Sequence, residues 1–81
     1  MIPDVKLSPV ARALLVEGRD SDGKVTVKRG TRGCRARRDA AWALIREGLL
    51  DLRGLTLGRD PAETFMLTRE GEEVARVVGA A

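Results

Sequence analysis

Fifteen of the 81 residues are basic, and eight of those fall between Lys24 and Arg46: Lys24, Lys28, Arg29, Arg32, Arg35, Arg37, Arg38 and Arg46. Asp39 is the one acidic residue in that stretch, which therefore carries +7, while the other 58 residues carry −4. Solubility alone does not require charges to be sorted in this way. A cationic stripe on a small domain is the electrostatic footprint of a polyanion, above all of a phosphate backbone. Arginine supplies twelve of the fifteen cations. Its planar fork can grip a phosphate or take the O6 and N7 of guanine bidentately.

Other chemistries are poorly supplied. There is no His and one Cys, Cys34, so His-assisted nucleophiles and most zinc sites are out of reach and no disulfide can form within the chain. The only serines, Ser8 and Ser21, have no evident base. The carboxylates Asp20, Asp22, Asp51 and Asp60 fall in turns or at strand ends with no second chemical group at a useful spacing. The expectation is a protein that is not an enzyme, with no cofactor, no metal and no small-molecule substrate. No apolar run approaches the ~20 residues of a membrane span. Met1-Ile2-Pro3-Asp4 lacks the charged and apolar parts of a signal peptide, so the expected location is the cytoplasm.

Length argues for a single domain over 1–81, with 1–7 as an irregular lead-in and 79–81 as a tail. An apolar content of 43% with one Phe and one Trp calls for a thin core of Leu, Val, Ile and Ala. Ser8-Pro9 opens a first helix by pairing a hydroxyl N-cap with Pro at the first helical position, and Gly18 is placed to end it. Asp20-Ser21-Asp22-Gly23 is a turn, and Lys24–Lys28 is a short β-branched strand. Arg29-Gly30-Thr31-Arg32-Gly33 is too rich in Gly for a stable helix. A second helix is expected from Cys34 to about Glu47, with Ala41, Leu44 and Ile45 inward and Gly48 at its end. Leu49–Leu57 reads as a strand with a bulge near Gly54. Gly58-Arg59-Asp60-Pro61 is a turn, and Thr64–Leu67 is the returning strand. Thr68 caps a last helix with Val74, Val77 and Val78 as its apolar stripe, and Glu70, Glu72 and Glu73 suit the positive end of its dipole.

Two of these segments resemble a known family. Ala41-x-x-Leu44-x-x-x-Gly48-Leu49-Leu50 resembles the end of the recognition helix in winged helix–turn–helix domains, where the helix stops at Gly and runs into the first wing strand. Phe65-x-Leu67-Thr68-x-x-Gly71 resembles the second wing strand and following helix of small bacterial and phage regulators of that class. The resemblance spans about residues 8–78. It implies an α+β winged helix–turn–helix fold in the order α-β-α-β-β-α. The family's separate helix before the recognition helix is shortened or missing here, unless the recognition helix starts nearer Thr31.

The resemblance also implies a binding mode. The helix from Cys34 would enter the major groove of duplex DNA with its N-terminal half leading. Thr31, Arg32, Arg35, Arg37 and Arg38 would then make contact, and Thr31, Arg32 and Gly33 would offer backbone N–H groups to a phosphate. Lys28 and Arg29 would hold the backbone, and Arg59 at the hairpin tip, supported by Arg53, would reach a minor groove or a phosphate. Several residues also have a plain structural reading. Arg37 or Arg38 could lay its stem on the core, Arg46 could complement a helix dipole, Asp39 could pair with Arg35, and Arg59 could be an ordinary turn residue. Trp42 reads better as a core-edge anchor than as a base-stacking platform, and Cys34 as a small buried hydrophobe.

The leading functional expectation is a DNA-binding protein, either a winged-helix transcription regulator or a phage-type DNA-transaction accessory. The alternative is a protein-interaction module of the same fold, docking through the Val74, Val77 and Val78 helix or the Trp42 edge, with a homodimer or another protein as partner. Single-stranded or structured RNA fits less well, because stacking needs exposed aromatics and only Trp42 and Phe65 exist.

Overall fold

A computed structural model describes residues 7–80, with side chains through Val78. Most of the expected lead-in, residues 1–6, and the last tail residue, Ala81, lie outside the described residues. The elements run α1 (Pro9–Asp20), β1 (Lys24–Lys28), α2 (Cys34–Arg46), β2 (Leu50–Thr56), β3 (Ala62–Leu67) and α3 (Arg69–Ala80). The three strands form one antiparallel sheet in the order β1-β3-β2. This is a small α+β architecture compatible with a winged-helix-like fold, and Arg29–Gly33 forms turns with no helix in them. No described helix is long and apolar enough to cross a membrane.

The Ser8 side chain caps α1, its Oγ accepting from the Ala11 N–H at 3.1 Å, and Pro9 follows at the first helical position. The apolar face repeats at helical spacing: Ala11, Leu14, Leu15 and Gly18 are all buried. Gly18 does not end the helix, contrary to its sequence reading. A Cβ there would lie 2.9 Å from Leu67 and 3.0 Å from Val25, so the residue is Gly because the sheet packs against its backbone. The chain turns at Ser21–Gly23 instead, where the N–H of Gly23, itself in the left-handed region at φ 88°, donates to Gly18 O.

The sheet shows the two-residue period of a surface buried on one side. Val25 and Val27 of β1 face inward, as do Glu63, Phe65 and Leu67 of β3, and the four apolar side chains among them pack with Leu44, Leu49 and Leu50. Register shifts between Leu52 and Gly54 leave Arg53 without a partner on β3, which places the expected bulge at Arg53–Gly54. Strand β3 begins at Ala62, two residues earlier than its apolar pattern suggested, and this brings Glu63 into the sheet. In α3, Gly71, Val74 and Ala75 are buried, whereas Val77, expected in the apolar stripe, is exposed.

The two resemblance motifs meet in space. The Thr68 N–H donates to Leu49 O at 3.0 Å, and the Thr68 hydroxyl donates to Gly48 O at 2.6 Å. The same Thr68 oxygen accepts from the Gly71 N–H at 3.0 Å, capping α3. Gly71 lies so close to the Leu49 carbonyl that no Cβ fits there. The Gly48-Leu49 corner after α2 is thereby clamped to the first turn of α3, and that clamp sets how β2 leaves the body of the protein.

Candidate nucleic-acid interface

The cationic stretch covers β1, the turns at 29–33 and α2, and six of its eight cations fall between Lys28 and Arg38. Gly33, at φ 80°, is the N-cap of α2 and provides no side-chain cap. No acidic residue occupies the first turn. The Cys34 N–H donates to Thr31 O and that of Arg37 to Gly33 O, which leaves the Arg35 and Ala36 N–H groups without a partner among the described residues. An uncapped helix start without local carboxylates carries an uncompensated positive dipole end.

The guanidiniums around this helix start divide into two kinds. Arg37 points inward. Its Nη2 lies 2.9 Å and 3.1 Å from the two Glu17 carboxylate oxygens on α1, and it donates to Thr26 O at 3.1 Å. Glu17 in turn accepts from the Thr26 N–H at 3.4 Å. Together the pair occupies the unpaired N–H and C=O on the outer edge of β1, where a neighbouring strand would bond. Arg37, expected to contact DNA, is thus engaged in joining α1, β1 and α2.

Arg38 and Arg29 converge on Glu63, which is only 3% exposed. The Arg38 Nε is 3.0 Å from Glu63 Oε1, and the Arg29 Nε is 3.8 Å from it. The Arg29 nitrogen is too far for a hydrogen bond and the Arg38 N–H is not aimed for one, so Oε1 is paired by charge and accepts no hydrogen bond among the described residues. A buried carboxylate needs such company, because desolvation without a counter-charge is costly. Both arginine side chains stay about half exposed, at 46% and 45%, and the three charges sum to +1.

Lys28, Arg32, Arg35, Arg53 and Arg59 are exposed, and no carboxylate lies within ion-pair distance of any of them among the described residues. Asp39 does not pair with Arg35. The Thr31 hydroxyl donates to Lys28 O at 2.7 Å, so its proton serves to close the turn. Arg29, Arg35 and Arg38 border one concavity of about 380 Å³ floored by Val27 and Cys34, with Asp39 on its rim. Lys28, Thr31 and Arg37 line a separate groove along the outer edge of β1.

The hairpin turn lies at the same end of the sheet. The Arg29 N–H donates to Pro61 O at 2.9 Å, and β1 ends opposite the start of β3, Lys28 beside Ala62. That contact sets the 58–61 turn carrying Arg59 beside the loop that leads into α2. Arg53 sits farther along β2, at the bulge. Trp42 occupies the core edge, its ring 6.4 Å from Phe65 in an edge-to-face contact, and Cys34 is half buried against the core.

Two participants escaped the sequence reading, Glu17 and Glu63, because both lie outside the basic stretch. Glu63 left a signal: it falls two and four residues before Phe65 and Leu67, in phase with the inward face. Glu17 left none, since its partner Thr26 is met only through tertiary packing.

Compared with known proteins, the chain has no significant match to any family model, curated protein or solved structure.

Proposed function

We propose that this chain is a winged-helix-type DNA-binding protein, a transcription regulator or phage-type accessory that takes duplex DNA on the uncapped start of α2. The observation that carries this reading is the concavity bordered by Arg29, Arg35 and Arg38, beside a helix N-terminus with open N–H groups and no acidic residue in its first turn. Such a surface suits a phosphate, because both the dipole end and the guanidinium forks favour an anion. Arg32 and Arg35 are the primary contacts, since neither is engaged by a carboxylate. Arg29 and Arg38 contribute the residual charge left by Glu63. Lys28 reaches the backbone from the other flank, and Arg59, with Arg53 behind it, adds contacts from the hairpin. Arg37 is excluded from the set by its bonds to Glu17.

The test is anisotropy titration of the whole chain on a labelled duplex of mixed sequence over a range of salt. The expected result is affinity that falls steeply with salt, by about 0.9 in log–log slope for each phosphate contacted. Replacing Arg32 and Arg35 together by Ala should lower the slope by about two such contacts. Replacing Arg12 and Arg76, exposed on α1 and α3, should leave it unchanged. Equal losses from both pairs, or no binding at low salt, would overturn the reading.

A further inference from the structure

We infer that Glu63 is a positioning residue that holds Arg38 in place to read guanine and so gives the chain a base preference, a role that rests on the duplex reading above. Gripping a phosphate and reading a base ask different things of an arginine. Phosphates recur along the whole backbone, so a mobile guanidinium serves there. The O6 and N7 of guanine are met bidentately by a fork in a fixed place, and a side chain ordered beforehand loses less freedom on binding. Arg35 is exposed, with no carboxylate restraining it among the described residues. Arg37 is committed to Glu17 and the Thr26 carbonyl. Among the cations of α2, Arg38 alone combines restraint with access: its Nε lies 3.0 Å from Glu63 Oε1, yet 46% of its side chain is exposed. Neither Arg38 Nη makes a hydrogen bond among the described residues. A contact through Nε leaves both Nη groups for an end-on pair of bonds to guanine.

The anchor itself is fixed by the sheet. Glu63 sits on the central strand, in register with Val27 of β1 on one side and Leu55 of β2 on the other, and is 3% exposed. Val27 floors the concavity that Arg35 and Arg38 border, so the carboxylate lies beside the floor of the proposed site. Stability does not account for a charge at this position. Oε1 accepts no hydrogen bond among the described residues, so its desolvation is offset by charge alone. An apolar residue would continue the inward face of Phe65 and Leu67, and replacing a buried ion pair in that way is often neutral or stabilising. What the carboxylate adds is a defined place for Arg38. Arg35, three residues earlier on the same helix and free to move, takes the adjoining phosphate.

The experiment selects duplexes from a randomised pool with the full chain. Competition anisotropy then compares the recovered duplex with one carrying A·T in place of its preferred G·C pair. The parent should favour G·C about tenfold. Glu63→Gln should bring that preference close to one while binding both duplexes more tightly, because Arg38 is released to the phosphates with its full charge. Arg38→Lys keeps a cation beside Glu63 but loses the planar fork, so it should keep the salt slope and lower the preference to about threefold or less. Arg35→Ala should lower the salt slope and keep the preference. A parental preference in Glu63→Gln or Arg38→Lys, or its loss in Arg35→Ala, would overturn the inference. So would a Glu63→Gln protein that loses preference and affinity together, since that marks a merely structural role. A parent that binds duplexes and selects no guanine would sink this inference and leave the proposed function standing; no binding at low salt would sink both.

Discussion

Arg35 and Arg37 are two residues apart on one helix, have the same side chain, and should give opposite phenotypes. Arg37 holds Glu17 through contacts of 2.9 and 3.1 Å and donates to the Thr26 carbonyl at 3.1 Å. Replacing it by Ala leaves Glu17 without its cation and the Thr26 carbonyl without its donor. A charged hydrogen bond contributes roughly 1.5–3 kcal/mol when well shielded. Here the two side chains remain 32% and 36% exposed, so screening cuts the expected loss to about 1–2 kcal/mol. In a domain of this size that is a fall in Tm of roughly 5–15 °C. Arg35 has no carboxylate partner, so Arg35→Ala should cost less than about 0.5 kcal/mol. On DNA the order reverses. Losing one phosphate contact lowers the log–log salt slope by about 0.9, so a fourfold rise in salt should weaken the variant about 3.5-fold less than the parent. Arg37→Ala, tested below its own Tm, should keep the parent slope. Thermal melts followed by circular dichroism and salt-dependent anisotropy read the two effects separately. An Arg37→Ala protein of full stability with a shallower slope would refute the division into structural and exposed arginines.

Two further outcomes follow from the packing. Gly71→Ala has to push the Leu49 carbonyl away and strain the Thr68 bonds, so it should destabilise the fold by about 3 kcal/mol in urea denaturation; a loss under about 1 kcal/mol would show that the clamp yields cheaply. Glu63→Gln raises the net charge of its cluster with Arg29 and Arg38 from +1 to +2, and should steepen the salt slope on duplex DNA by up to about 0.9; an unchanged or shallower slope would mean that neither arginine reaches the phosphates.

Local signals were strong wherever short-range chemistry decides the outcome. Ser8-Pro9 and Thr68 announced helix starts, β-branched residues announced β1, and Gly48 and the 58–61 turn marked the ends of α2 and the hairpin. Each of these rests on contacts within a few residues, so the order of elements could be read along the chain. The +7 balance of Lys24–Arg46 was equally plain, because charge is a property of composition. The bulge near Gly54 was visible as an interruption of period two.

Tertiary structure decided the rest, because it brought together residues far apart in the chain. Gly18 looked like a helix terminator and is a packing glycine, since its neighbours Val25 and Leu67 come from the sheet. Arg37 looked like its neighbours and is held by Glu17, twenty residues away. Arg38 and Arg29 share a carboxylate from β3, a strand that starts two residues ahead of its apolar pattern. Counting charge along a chain cannot say which cations are already neutralised, because pairing depends on distances that only the folded packing sets. The sequence therefore determined the sign of the surface around α2, and the fold determined which guanidinium groups that surface still has free.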